Sequence, residues 1–310
     1  MDQWLTKVLE ARAVLTRDLR DALGRMSFVY GALDADRPFL GPLFTYVAVS
    51  NPSAFQRLPL FALLILDWLR ERLRERRTAP CATRKGKKRE CFRIDAKAEG
   101  DKIVIGGWEP NVYYKEKPDL STVRWFSVEL TRENAPWAFC RGEPYRVVSA
   151  LELLASTMAI LLFGPKIALP SDGTAIAVLT GHTDSMVSTH VVARGMSTSF
   201  PLCVVAMEMA AQLEARGTVL HLEWAPRTHN QEADDLTNEV FGAFNPRHRI
   251  HVEDWTKLPW RILPTFLAKG MEFYSSIQEQ KLKRKSAGSS GPVKEPKRSR
   301  ESRLRVKEPW

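Results

Sequence analysis

The sequence is poor in the residues that staple small folds. Four cysteines stand in 310 residues (Cys81, Cys91, Cys140, Cys203), and no Cys-x-x-Cys occurs. That spacing indicates neither a zinc knuckle nor a disulfide scaffold, and it favours a reducing, intracellular setting. Long apolar runs are also missing. A membrane span takes about 20 apolar residues. Leu58–Leu69 is shorter and contains Asp67, and Val147–Phe163 contains Glu152, which suits a buried helix better. The start, Met1-Asp2-Gln3-Trp4, lacks the cationic and apolar regions of a signal peptide. No internal repeat is present. There is no Tyr-x-Asp-Asp, and the one Asp-Asp pair is Asp234-Asp235.

What is present suffices for a core: 44% of the residues are hydrophobic, so disorder throughout is excluded. The charge is unevenly placed. The formal net is +10, yet residues 94–280 carry 17 basic and 23 acidic groups, net −6. Residues 70–93 and 281–310 each carry 11 basic and 3 acidic groups, net +8 apiece. An acidic centre therefore lies between two short cationic segments. Residues 1–77 read as a helical region, 78–88 as a basic linker, 89–245 as the main domain and 246–280 as an appended segment. Residues 281–310 have almost no apolar mass and are expected to be a disordered basic tail.

Periodicity outlines the elements. Trp4, Leu5, Val8, Leu9, Leu15, Leu19 and Leu23 recur near helical spacing, which predicts a helix over 1–24. Pro59–Arg77 opens apolar and ends in the run Arg70–Arg77, a helix that leaves a core and becomes a cationic face. Strands are predicted at Cys91–Asp95 and Ile103–Trp108, joined by the turn chemistry of Ala98–Lys102, and at Val123–Leu130. The helix Val147–Phe163 is stopped by Gly164-Pro165. Thr174–Thr180 reads as a strand, Met186–Arg194 and Cys203–Arg216 as helices, Thr218–Trp224 as a strand and Glu232–Phe241 as a last helix. Three strands followed by β-α-β units argue an α/β fold with a mixed five-stranded sheet flanked by helices.

Four carboxylates stand out by position. Asp95 ends the first strand, Glu152 interrupts an apolar helix, Asp184 follows the fourth strand and Asp234 opens the last helix. An unpaired buried carboxylate is costly, and strand ends in α/β sheets are where sites collect. Four carboxylates meeting there repel one another unless a divalent metal neutralises them. Oxygen ligands select Mg2+, with Mn2+ as the alternative. Each residue also has a structural reading. Asp95 could cap a strand end, Glu152 could pair with an arginine, and Asp234 could be a first-turn acid that favours the helix dipole.

The order of these pieces resembles a known family. Asp95 with Gly106-Gly107-Trp108, Ala150-Leu151-Glu152-Leu153-Leu154-Ala155, Thr183-Asp184-Ser185, and Asn230 with Ala233-Asp234 and Leu236-Thr237 look like the ribonuclease H domain of retrotransposon polyproteins. Trp125–Leu130 and Glu223-Trp224-Ala225-Pro226-Arg227 add to the resemblance, which covers roughly residues 89–245. Upstream, Leu23–Phe28 and Arg37–Leu43 look like the segment after a polymerase palm, so 1–77 resembles a reverse transcriptase remnant whose polymerase portion is missing. The resemblance implies a ribonuclease H-like sheet and metal-dependent endonucleolytic hydrolysis of RNA in an RNA–DNA hybrid. It further implies that Asp95 bridges two Mg2+ ions. Glu152 would bind one ion near the attacking water, and Asp184 and Asp234 would complete the shells. Two departures stand beside it: Lys97 follows Asp95-Ala96 where the family often has Ser, and Ser185 replaces a frequent Asn. His229 is the nearest candidate for a loop histidine and is left unassigned.

Arg74, Arg76, Arg77, Lys85, Lys87 and Lys88 of the first cationic segment, with Asn230, are the expected nucleic-acid contacts; the alternative for the run at 70–77 is a solvated helix face. The clusters Lys281–Lys285 and Pro296–Arg300 resemble a bipartite nuclear localisation signal, or else a phosphate-binding arm. The expected partners are nucleic acid and the missing polymerase portion, with no membrane. Two competing readings stay open: a catalytically inactive nucleic-acid-binding remnant, and a strand-transfer enzyme that shares the sheet and a carboxylate set.

Overall fold

The computed structural model describes residues 1–33, 36–75, 90–110, 118–164 and 177–287. The chain opens with α1 (Asp2–Ala11), β1 (Ala13–Leu15), α2 (Thr16–Leu33), α3 (Leu40–Val49), β2 (Phe55–Arg57) and α4 (Leu60–Arg74). Residues 1–24 do not form the single helix their spacing predicts. Arg12 adopts a left-handed φ of 52° and ends α1. Ala13–Leu15 then pairs antiparallel with Phe55–Arg57. The apolar repeat lapses between Leu9 and Leu15, and a short ladder takes over there.

The second layer is a sheet. β3 (Phe92–Glu99), β4 (Lys102–Trp108) and β5 (Trp125–Leu130) form an antiparallel meander. Its first turn uses Gly100 at φ 57°, a conformation that favours glycine. α5 (Val148–Phe163) crosses to β6 (Ala177–Thr183). α6 (Met186–Arg194) and α7 (Leu202–Ala215) lead to β7 (Thr218–Trp224), and α8 (Gln231–Thr237) follows. Strand order is β5-β4-β3-β6-β7. β3, β6 and β7 are parallel, and β4 is antiparallel to β3. This is the mixed five-stranded α/β sheet flanked by helices that the sequence predicts.

Strand alternation separates two cores. Ile94, Ile103, Ile105, Phe126 and Val128 belong to a large cluster with Leu151, Leu154 and Met158 of α5. Trp108 and Trp125, with Val123, form a smaller cluster with Ala233 and Leu236 of α8 and with Phe244. Helix α5 lies in the apolar stretch Pro144–Phe163, the one helical stretch among the described residues long and apolar enough for a membrane span. Its residues from Ala150 to Leu161 are buried without a break.

The last helix, α9 (Leu263–Ala287), packs on α3, α4 and α7. It runs past Lys281, where the sequence predicts the tail to begin, because Lys281-Leu282-Lys283-Arg284-Lys285 are good helix formers. Residues 288–310, and with them the second basic cluster, lie outside the described residues. The start of α9 is anchored by Glu208, fully buried on α7. Its carboxylate accepts the backbone N–H groups of Arg261 (3.0 Å), Ile262 (2.8 Å) and Leu263 (2.9 Å). α8 ends at Thr237, short of the predicted Phe241, and Glu239 turns at φ 61°.

Candidate active site

The site lies where the sheet changes direction of growth. β3 is flanked by its hairpin partner β4 on one side and by the crossover strand β6 on the other. Such a switch point opens a crevice at the strand ends. Here the β3–β6 ladder has only two pairs, Phe92↔Gly181 and Arg93↔His182. Carried two residues further, that register brings Asp95 beside Asp184. The strands have parted there, and the gap receives Glu152 from the first turn and a half of α5. Oxygens of Asp95, Glu152 and Asp184 all lie within 4.8 Å of one another. The three can hold a metal ion.

Two of the carboxylates are held by a hydroxyl, and the third residue by its backbone. The Thr237 hydroxyl donates to Asp95 Oδ2 at 2.5 Å, and the Thr183 hydroxyl donates to Glu152 Oε2 at 3.2 Å. Trp224 Nε1 donates to the Asp184 carbonyl at 3.1 Å. Ser185 caps α6 by accepting the Ser188 N–H at 3.3 Å, so the replacement of the frequent Asn keeps a capping function. Gly106 pairs with Asp95 across the hairpin. A Cβ there would stand 2.8 Å from Leu236 Cβ, so glycine lets α8 press Thr237 onto Asp95.

The electrostatics are those of a site built for a counter-charge. Burial pushes the Glu152 carboxyl well above the usual range, and the charges of Asp95 and Asp184 push it further; the Thr183 hydroxyl and the Ala96 N–H oppose this. Burial also raises Asp95, against the Thr237 hydrogen bond and with the charges of Asp184 and Asp234. Asp184 is raised by burial and eased by Arg227. Clustered carboxylates with raised pKa values are what a hard divalent cation neutralises. The all-oxygen donor set therefore fits the expected ion.

Asp234 stands differently. It is coupled to Asp95 and Asp184 by charge, but its Oδ1 is engaged by the guanidinium of Arg227, through Nε at 3.2 Å and through Nη2. Its Oδ2 accepts from Asn238 Nδ2 at 2.8 Å. Lys97 does not join the carboxylates: its Nζ binds Asn238 Oδ1 at 3.0 Å and Glu99 at 2.9 Å.

No protein family and no curated protein matches the chain. The solved structures similar to the chain at a distance include two RNase H proteins. RNase H1 from the halophilic archaeon Halobacterium salinarum is 16% identical with a TM-score of 0.31, over 48% of this chain and 95% of that one. The N-terminal RNase H domain of a Mycobacterium tuberculosis protein, solved as a fusion with maltose binding protein, is 15% identical with a TM-score of 0.30. That match covers 50% of this chain and 96% of the domain's chain.

The expected nucleic-acid contacts fare unevenly. Arg74 is on α4 and pairs with Asp2 at 2.9 Å and Glu71 at 3.4 Å. Arg76, Arg77, Lys85, Lys87 and Lys88 lie outside the described residues. Asn230 is not on the surface. It is buried and donates from Nδ2 to the Ile94 carbonyl at 2.9 Å, tying the start of α8 to β3. His229 is exposed, and its carbonyl accepts from Arg93 Nη1 at 2.9 Å.

Thr237 and Arg227 enter the sequence reading only as part of the resemblance, with no task assigned, and Arg93 does not enter it. Thr237 carries a local signal, since it lies three residues after Asp234, one turn on along the helix. Arg93 carries none. It is gripped by the buried Glu90, with Nε to Oε1 at 2.5 Å and Nη2 to Oε2 at 3.1 Å. Glu90 also meets His182 Nδ1 at 2.9 Å. Burial works against the charge on Glu90, but the bonds from His182 and Arg93 outweigh it and hold the carboxyl below its ordinary range.

Proposed function

We propose that the chain is a metal-dependent endonuclease of ribonuclease H type, acting on the RNA strand of RNA–DNA hybrids. We further propose that it belongs to a retrotransposon reverse transcriptase. The observation that carries this reading is the meeting of Asp95, Glu152 and Asp184 at the parted β3–β6 ladder. Asp95, Glu152, Asp184 and Asp234 would hold two Mg2+ ions, with Mn2+ as the alternative. Such ions neutralise the carboxylates and activate water for attack on a phosphodiester. Thr237 holds Asp95 in place and Thr183 holds Glu152, so two of the ligands are oriented before any ion arrives. The hybrid would be held by its shape and backbone, with no need for base reading. Arg74 and the basic residues of 76–88 would add attraction to phosphate, and the basic tail would add more or serve as a nuclear address.

The test is an assay of the full chain on a labelled hybrid with Mg2+. Cleavage by the parent and loss in Asp95→Asn are expected; an Asp95→Asn variant as active as the parent would sink the assignment. One observation favours a second reading, an inactive remnant that only binds nucleic acid: Asp234 is occupied by Arg227 and Asn238 rather than joined to the other three. Hybrid binding without cleavage in either Mg2+ or Mn2+ would select that reading.

A further inference from the structure

Arg227 lies between the carboxylate cluster and solvent. Its side chain is 74% exposed, whereas that of Asp234 is 15% exposed. The contact is nevertheless set by the fold. Arg227 opens the short turn Arg227–His229, and the last carbonyl of that turn is held by Arg93 Nη1 at 2.9 Å. Arg93 is fixed in turn by Glu90 and lies 5.3 Å over the Trp108 ring. A buried ion pair thus places the turn, and the turn places the guanidinium on Asp234. The field of Arg227 also reaches Asp95 and Asp184.

We propose that Arg227 is a built-in counter-cation that holds Asp234 until a divalent ion takes that carboxylate, and so weakens the binding of the second ion. The proposal rests on the metal-dependent reading of this site. An ion held by Asp234 would meet the guanidinium of Arg227 already on Oδ1. An exposed ion pair is weak, so the arginine yields to a divalent ion, and its guanidinium is released into water close by. Asn238 stays on Oδ2, so the freed carboxylate keeps its orientation. Without the latch, a metal-free site would hold four mutually repelling carboxylates. With it, one of the four is neutralised by the chain itself.

The test is calorimetric titration of Mn2+ and Mg2+ into the full chain, with no nucleic acid. Arg227→Ala, at an exposed position, is expected to bind the weaker ion about two- to fivefold more tightly, the size of an exposed ion pair. Arg227→Lys, which keeps the charge but loses the fork, should fall between. In an Asp234→Asn background the gain should vanish. Equal or weaker binding by Arg227→Ala overturns the latch, as does a gain that persists undiminished in Asp234→Asn, since that would be a general field effect. If neither parent nor Arg227→Ala binds either ion at millimolar concentration, the metal-dependent reading itself falls, which is a distinguishable result.

Discussion

Glu152 is 6% exposed on a helix whose other inner residues are Leu, Ile, Phe, Met, Ala, Ser and Thr. Burial and two neighbouring carboxylates raise its pKa well above the ordinary 4.5. In the folded state it therefore holds its proton to higher pH than in the unfolded chain. Stability from this group is complete below the unfolded value and is lost as pH rises through the folded one. Asp95 and Asp184 shift the same way. These three groups should thus cost the metal-free protein stability as pH climbs from about 4.5, opposing carboxyls such as Glu90 that shift the other way, and a divalent ion should remove that cost. Glu152→Gln removes a charge but no volume. In EDTA at neutral pH it should be more stable than the parent by about 1–2 kcal/mol, with the difference shrinking toward pH 4, and it should lose ion binding. Urea melts across the pH range check this; a variant less stable than the parent at neutral pH would show that the cluster is not strained by charge.

At the scale of the element, α8 is only seven residues long, and it is held by Ala233 and Leu236 against Trp108 and Trp125. Gly106 sets how closely it sits. In Gly106→Ala the new Cβ would meet Leu236 Cβ at 2.8 Å and Thr237 Cγ2 at 3.2 Å. The helix must move, and Thr237 leaves Asp95. We expect a cost of about 1–3 kcal/mol and loss of hydrolysis by about tenfold or more. Gly100→Ala is the control. It strains a left-handed turn yet has nothing within 4 Å, so the folded fraction should keep full activity.

The same element shows what a sequence reading can reach. The order of Asp95, Glu152, Asp184 and Asp234 along the chain is legible, but Asp95, read as the end of the first strand, stands inside β3, because the ladder with β4 carries that strand on to Glu99. The end of α8 is not legible, because Val240 and Phe241 continue the apolar pattern after the backbone has turned at Glu239. The apolar run that stops at Thr180 ends the predicted strand three residues before β6 ends at Thr183. The strand continues through Gly181-His182-Thr183, held by β7 and by the pair with Arg93. Ladder partners distant in sequence decide it. Arg227 is invisible as a site residue for the same reason: nothing local says that its side chain reaches seven residues along the chain onto Asp234.

At the scale of the whole molecule, one apolar cluster runs from Leu5 to Ile277. Phe61 of α4 lies between Phe266 and Phe273 of α9, at 5.5 and 5.2 Å. α9 packs on α7, and α7 packs on α5 beneath the sheet. Arg72 of α4 pairs with Asp36 at 3.4 Å and with Glu214 at the end of α7. A fragment cut at 89 and 245 would expose the faces of α7 that α9 covers, and would leave the Glu208 carboxylate without its three N–H donors. An exposed apolar patch of that kind invites aggregation, and a carboxylate left with Gln212 Nε2 but without its three backbone N–H donors costs about 1–3 kcal/mol. We therefore expect residues 1–287 to melt in one cooperative transition, and residues 89–245 alone to be insoluble or to bind a hydrophobic dye. Glu208→Ala in the longer chain should lower stability by about 2–4 kcal/mol without separating the melt into two steps. A soluble, cooperatively folding 89–245 fragment with the activity of the full chain would mean that the helical regions only lean on the sheet. The acidic centre would then need the flanking cationic segments for grip alone, and not for its fold.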